Sequence, residues 1–148
     1  MFLKDKAFYI VSKKTGLVLS TNGYTEEGSK ITVQNKVSYC YQTGEEHELW
    51  QFESGFLINK SSSLVLDIIG GDLRVGQKVN LWGRKKTMAH NQRWGIRDGY
   101  IYALADPRLV LDIEGDCEDE GTHIVTNSRR VENHDLQQWT LIPFTEEE

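Results

Sequence analysis

Leu64-Val65-Leu66-Asp67-Ile68-Ile69-Gly70-Gly71, then Gly76-Gln77-Lys78-Val79-Asn80-Leu81-Trp82 and Asn91-Gln92-Arg93-Trp94, make up one unit of a pattern that the chain writes three times. The opening triplet recurs as Leu17-Val18-Leu19 and Leu109-Val110-Leu111, and the closing tryptophan recurs as Trp50 and Trp139. The triplets start 47 and then 45 residues apart, and the tryptophan follows the first leucine by 33, 30 and 30 residues. A repeat of this size filling a chain marks a supersecondary unit that cannot bury its apolar face alone. The copies are not equally equipped. Trp82 has no aromatic counterpart, because Gln34 and Asn127 stand in its place. Residues common to the copies are expected to build the fold, and residues peculiar to one copy are candidates for function.

Around each triplet the signals are those of strands. Phe8-Tyr9-Ile10-Val11, Phe56-Leu57-Ile58 and Tyr100-Ile101-Tyr102 precede the triplets, and Gly28, Gly76 and Gly121 lead into Ile31-Thr32-Val33, Val79-Asn80-Leu81 and Ile124-Val125-Thr126. Each copy closes on a run that opens with its tryptophan. Short β-branched and aromatic runs bounded by turn residues read as strands, and no segment of useful length carries a helical period. Twelve strands in three equivalent sets predict an all-β chain, closed as a pseudo-threefold β-trefoil, since closure removes exposed sheet edges. The expected organisation is one domain over 1–148, with repeats at about 6–53, 54–97 and 98–144 and an acidic tail at 145–148. Trp50, Trp94 and Trp139 are expected in the core.

Composition narrows the function. The chain has 148 residues, 39% of them apolar and 26% charged, and a net charge of −5. Phosphate contacts need a basic surface, so nucleic acid is not an expected partner. No apolar run is long enough to insert in a membrane, and the charged N-terminal stretch does not read as a signal peptide, so the expected location is cytoplasmic, or secreted without a signal peptide. Cys40 and Cys117 fall at non-equivalent positions and read as free thiols in a reducing compartment. No cofactor or metal is expected. The acidic run Asp112–Glu120 lacks the glycine and terminal glutamate of an EF-hand loop, the histidines show no paired metal spacing, and no nucleophile or phosphate-loop motif is present.

Gln92-Arg93-Trp94 and Gln137-Gln138-Trp139 carry the Gln-x-Trp signature of ricin-B-type lectin repeats, and Glu48-Leu49-Trp50 is a variant of it. With the triplets and the Gly-led strands, the whole chain resembles that family. The resemblance implies a β-trefoil that binds sugar, and it implies roles residue by residue in the second copy. Asp67 falls on the aspartate that grips hydroxyls, Trp82 on the aromatic platform and Asn91 on the asparagine before the glutamine. Gln92 falls on the glutamine that steadies the aspartate, and Asn80 on a polar position lining the pocket. Lys85 lies near a further polar contact of some members. The disulfide that extracellular members carry in each repeat has Val65 and Arg84 in its place.

Elementary chemistry agrees with that constellation. An aromatic ring offers rigid apolar area to the C–H face of a pyranose. A carboxylate accepts strong bonds from adjacent hydroxyls, and an amide both donates and accepts. Gly70 and Gly71 would let backbone come close to a ligand. Singly, each residue has an ordinary reading: Asp67 as a turn anchor, Trp82 as packing under a loop, Asn91 and Gln92 as supports of the barrel bottom. Jointly, in one copy and in order, they favour a sugar site. The third copy keeps Asp112 and Gln137 but has Asn127 for the ring and Leu136 for the amide, a weaker second site. The first has Ser20, Gln34 and His47 at the three positions.

The expected function is therefore a non-catalytic lectin whose second repeat binds galactose-type or related glycans, with a homo-oligomer compatible with it; galactose comes from the resemblance alone. The competing expectation is a protein-interaction scaffold, such as a protease inhibitor or cytoskeletal partner, using the inserted Tyr39-Cys40-Tyr41 loop of the first copy. Arg74, Lys78, Arg84, Lys85, Lys86, Arg93 and Arg97 cluster in the second copy. They read either as a patch for acidic glycans, with salt-sensitive affinity, or as a solvated face.

Overall fold

The computed structural model describes residues 6–36, 47–132 and 134–144, and among them it contains the twelve expected strands. The Tyr39–Tyr41 loop, Cys40 and the tail at 145–148 lie outside the described residues. The first repeat supplies β1 (Phe8–Ser12), β2 (Val18–Ser20), β3 (Thr32–Gln34) and β4 (Trp50–Glu53). The second supplies β5 (Phe56–Asn59), β6 (Val65–Ile68), β7 (Val79–Trp82) and β8 (Trp94–Arg97). The third supplies β9 (Tyr100–Ala103), β10 (Asp106–Ile113), β11 (Ile124–Ser128) and β12 (Trp139–Pro143).

Six of these strands form the barrel. Antiparallel ladders join neighbouring repeats at β4–β5, β8–β9 and β12–β1. The tryptophans tie each repeat to itself: Phe8 pairs with Trp50, while the Trp94 and Trp139 amides donate to the Gly55 and Gly99 carbonyls at 2.7 Å. Alternating ladders and ties thus close the sheet on itself. This is the β-trefoil.

The other six strands form three hairpins, β2–β3, β6–β7 and β10–β11, that cap one end. The glycines leading into β3, β7 and β11 link them in a ring. Gly28 donates to the Leu81 carbonyl, Gly76 to Thr126 and Gly121 to Val33, at 2.7–2.8 Å, and the amides of Leu81, Thr126 and Val33 donate back to Ser29, Gln77 and Thr122. All three glycines have φ near +90° with open space where a side chain would stand, so the left-handed backbone alone selects glycine there.

The leucine triplets and the tryptophans meet inside. Phe8, Leu19, Trp50, Leu57, Leu66, Leu81, Trp94, Ile101, Leu111 and Trp139 belong to one buried cluster. Each indole N–H is satisfied by the last leucine of its own repeat's triplet: Trp50 by the Leu19 carbonyl at 3.2 Å, Trp94 by Leu66 at 3.1 Å and Trp139 by Leu111 at 3.3 Å. The fixed spacing between triplet and tryptophan thus reflects a buried polar group that must find a partner. It also sets the position of the residue after the triplet, which is Ser20, Asp67 or Asp112.

Candidate functional site

Asp67 is the third residue of β6 and faces Asn80 of β7 across the ladder. Both are nearly buried, whereas Trp82, at the end of β7, is 42% exposed. Alternation along β7 explains the ring's position: Val79 and Leu81 enter the core, and the strand ends as Trp82 reaches solvent. A short 3-10 helix, His90–Gln92, brings Asn91 and Gln92 beneath Asp67.

The floor is a hydrogen-bonded scaffold. Gln92 donates through Nε2 to Asp67 Oδ2 and to the Gly83 carbonyl, both at 2.9 Å, and its Oε1 accepts the Lys85 amide at 2.9 Å. Asn91 donates through Nδ2 to Asp67 Oδ2 at 3.2 Å and to the Ile68 carbonyl at 3.1 Å, and its Oδ1 accepts the Lys85 ammonium at 2.9 Å. Both bonds to Asp67 end on Oδ2, and no hydrogen bond among the described residues ends on Oδ1. Asn80 Oδ1 also lacks a partner among them, but it is fully buried. These groups line a shallow hollow of about 320 Å³ with Ile69, Gly70 and Gly71. The two glycines hold φ of 83° and 80°, so the turn beside the hollow needs glycine for its backbone.

The structure thus brings together Asp67, Gly70, Asn80, Trp82, Lys85, Asn91 and Gln92. Both Asn91 amide hydrogens are spent on the protein, which leaves the Lys85 ammonium as a donor at the hollow. An open acceptor (Asp67 Oδ1), a cationic donor and an exposed indole in one depression suit a ligand with an apolar face and an edge of hydroxyls. Burial pushes the Asp67 carboxyl above the ordinary carboxylate range, while the Gln92 bond, the Lys85 charge and the Asn91 bond hold it back. A grip through the ionised carboxylate therefore weakens as pH falls through that raised value. Titration calorimetry from neutral to mildly acid pH should show affinity dropping above the range in which an ordinary aspartate protonates.

A family model described as the ricin-type beta-trefoil lectin domain matches residues 6–139. The chain belongs to that family. This membership supports carbohydrate binding. The C-half of an earthworm R-type lectin, solved in complex with GalNAc, superposes with a TM-score of 0.80 at 21% identity, over 94% of this chain and 99% of that one. The Macrolepiota procera ricin B-like lectin, solved in complex with lactose, gives 0.75 at 18% identity, over 96% of this chain and 98% of that one. At these identities the likeness is one of fold. The human "Beta/gamma crystallin domain-containing protein 1" is 30% identical over 123 residues, 82% of this chain but 6% of that protein's length.

The other two lobes of the lectin fold are built differently at the same place. In the third, Asp112 spends both oxygens internally: Oδ1 accepts the Ile113 amide at 2.7 Å, and Oδ2 accepts Asn127 at 2.9 Å and Gln137 at 3.3 Å. Arg130, in register with Lys85, closes over the acid, 3.7 Å from Asp112 and 3.3 Å from Asp116. Asp112, Asn127 and Gln137 are thus together, but bound to one another. In the first lobe Ser20 Oγ accepts the Asn22 amide, Gln34 donates to Thr32 and His47 pairs with Ser61, so those groups are also engaged within the protein. Sequence position alone did not foretell the Arg130 bridge, because its reach across to Asp112 depends on tertiary placement.

A larger hollow of about 880 Å³ lies between the second and third repeats, against Leu73, Val75, Tyr100 and Arg129. Its one carboxylate, Asp106, is paired with Arg108. Volume favours this hollow, but the open Asp67 oxygen, the Lys85 ammonium and the exposed indole favour the smaller one, and for a hydroxylated ligand the chemistry decides.

Proposed function

We propose that the protein is a lectin module that binds galactose-type saccharides through its second repeat, without chemistry on them. One observation carries the reading: an exposed Trp82 beside a buried Asp67 with Oδ1 open. The sugar's C–H face stacks on the indole and adjacent hydroxyls donate to the carboxylate, an acid whose other oxygen Gln92 and Asn91 already hold in place. The galactose preference draws on family membership and on the GalNAc and lactose complexes of the two lectins of like fold. A hydrolase of the usual kind needs two carboxylates flanking one bond, and Asp112 is spent on Ile113, Asn127, Gln137 and Arg130. The hollow is shallow, so one site binds weakly, and avidity comes from assembly or from neighbouring domains. A reducing location is part of the reading, supported by Val65 and Arg84, which stand where extracellular members of the family carry a disulfide.

A glycan array with wild type and Trp82→Ala side by side tests the proposal. Retention of β-galactosides by wild type and their loss by the variant is the expected pattern. An array blank for wild type, or equal for both, overturns it. Neutral glycans are the preferred reading over acidic ones, because ion pairs and a ring contact already engage part of the positive charge in the second repeat. Arg74 pairs with Asp72, Arg84 with Glu53, and Arg93 packs over the Phe56 ring. Affinity for a sialylated lactose should therefore change no more than about twofold between low and high salt, and a steep fall with salt would show that the patch takes acidic glycans.

A further inference from the structure

Two glutamates play the same part at two lobes. Glu27 stands just before Gly28, and its Oε2 accepts the Gly83 amide of the second repeat at 2.9 Å. Glu120 stands just before Gly121, and its Oε2 accepts the Asn35 amide of the first repeat at 3.1 Å. Gly83 and Asn35 are equivalent: each follows the residue that pairs with the valine of its triplet, Trp82 with Val65 and Gln34 with Val18. At the third lobe the position before Gly76 is Val75, which cannot accept. There the Ser128 amide bonds instead to its neighbour's Asn127 Oδ1 at 2.8 Å, and Asn127 turns its Nδ2 onto Asp112. The lobe without a carboxylate is the one whose platform residue has folded onto its acid.

At the second lobe the Gly83 peptide is gripped at both ends. Its N–H goes to Glu27 and its C=O accepts Gln92 Nε2, the same nitrogen that binds Asp67. A Cβ on Gly83 would stand 2.7 Å from Glu27 Oε2, and its φ lies outside the left-handed region. A side chain there would therefore displace the Glu27 carboxylate from the amide, and no backbone demand selects glycine. The Glu27 turn is anchored beside β7 by the Gly28–Leu81 and Leu81–Ser29 bonds. Its charge also reaches Asp67, where it adds to the upward push on that carboxyl.

We infer that Glu27 is a positioning residue of the glycan site, contributed by the first repeat to hold the Trp82–Lys85 segment of the second in the geometry on which the sugar stacks. The inference rests on the lectin reading for its function and on the Gly83 geometry for its mechanism. The site is then composite across two repeats, and the second repeat alone holds an incomplete one.

Calorimetry with lactose, together with amide exchange at Gly83, tests it. A charge-assisted bond of this kind is worth about tenfold. Glu27→Ala should weaken lactose binding by up to about that factor, with a melting temperature lowered by no more than about 5 °C, so that the protein is still folded when binding is measured. Glu27→Gln, whose amide oxygen can still accept, should recover most of the loss. Gly83 should exchange faster in Glu27→Ala than in Glu27→Gln. Gly83→Ala should weaken binding in the wild-type background but add nothing to Glu27→Ala, because the clash requires the carboxylate. Unchanged affinity in Glu27→Ala, or additive effects of the two alanines, overturns the inference. If wild type does not bind lactose, the galactose reading falls, and Gly83 exchange then judges the clamp alone: protection retained in Glu27→Ala overturns it.

Discussion

Replacing Trp82 by alanine, or Asp67 by asparagine, is expected to weaken glycan binding by about thirtyfold to a hundredfold while leaving the barrel folded. Trp82 is 42% exposed, so its removal opens no cavity and costs the sugar its stacking surface. Asp67→Asn keeps an oxygen for Gln92 and Asn91 but removes the charge that strengthens bonds from sugar hydroxyls, each worth about 1.5–3 kcal/mol. The stability consequence has a definite sign. Burial raises the Asp67 carboxyl above its unfolded value, so the native state disfavours the ionised form. That penalty is fully present above the raised value and fades as pH falls toward the unfolded one. At neutral pH Asp67→Asn should therefore melt at or above the wild-type temperature, the mark of a residue kept for function. Calorimetry and thermal unfolding followed by circular dichroism check both halves. A Trp82→Ala protein that melts far below wild type would show the ring to be core.

Trp94→Ala, the same substitution twelve residues on, is expected to do the reverse. The ring is fully buried in the central cluster, and deleting a side chain of this size from a packed interior costs about 3–5 kcal/mol. Trp94→Phe isolates the polar part. It keeps most of the apolar volume but leaves the buried Leu66 carbonyl without the indole N–H that meets it at 3.1 Å, for about 1–2 kcal/mol. Urea denaturation separates the two. Because Leu66 directly precedes Asp67, the Trp94→Phe protein, while still folded, should lose some glycan affinity as well, which ties the barrel's packing to the site. Trp50→Ala and Trp139→Ala, with the same indole bond in their own repeats, should behave like Trp94→Ala.

The contrast between those two tryptophans was legible before any coordinates. Trp94 recurs at a fixed interval and Trp82 does not, and a residue repeated in every lobe of a symmetric barrel serves what the lobes share. Asp67, Asn80, Asn91 and Gln92 came instead from the resemblance to ricin-B-type repeats, carried over position by position, and two of them recur as Asp112 and Gln137. Local order could not supply the contacts between lobes. Glu27 lies 56 residues from Gly83 and carries no motif; the signal that could have found it is its place just before Gly28, shared with Glu120 before Gly121. The engagement of Asp112 was equally out of reach. Arg130 reads as an ordinary surface cation until folding sets it over a buried acid.

By itself, the sequence determined the strands, their threefold arrangement, the buried tryptophans and which repeat kept an acid and a ring, because each of these follows from periodicity and from the burial that periodicity enforces. Only the tertiary structure decided which carboxylate oxygen stays open, which acid is covered and which repeat lends a side chain to its neighbour. Those outcomes depend on distances across lobes, where a hydrogen bond exists or fails within a few tenths of an ångström.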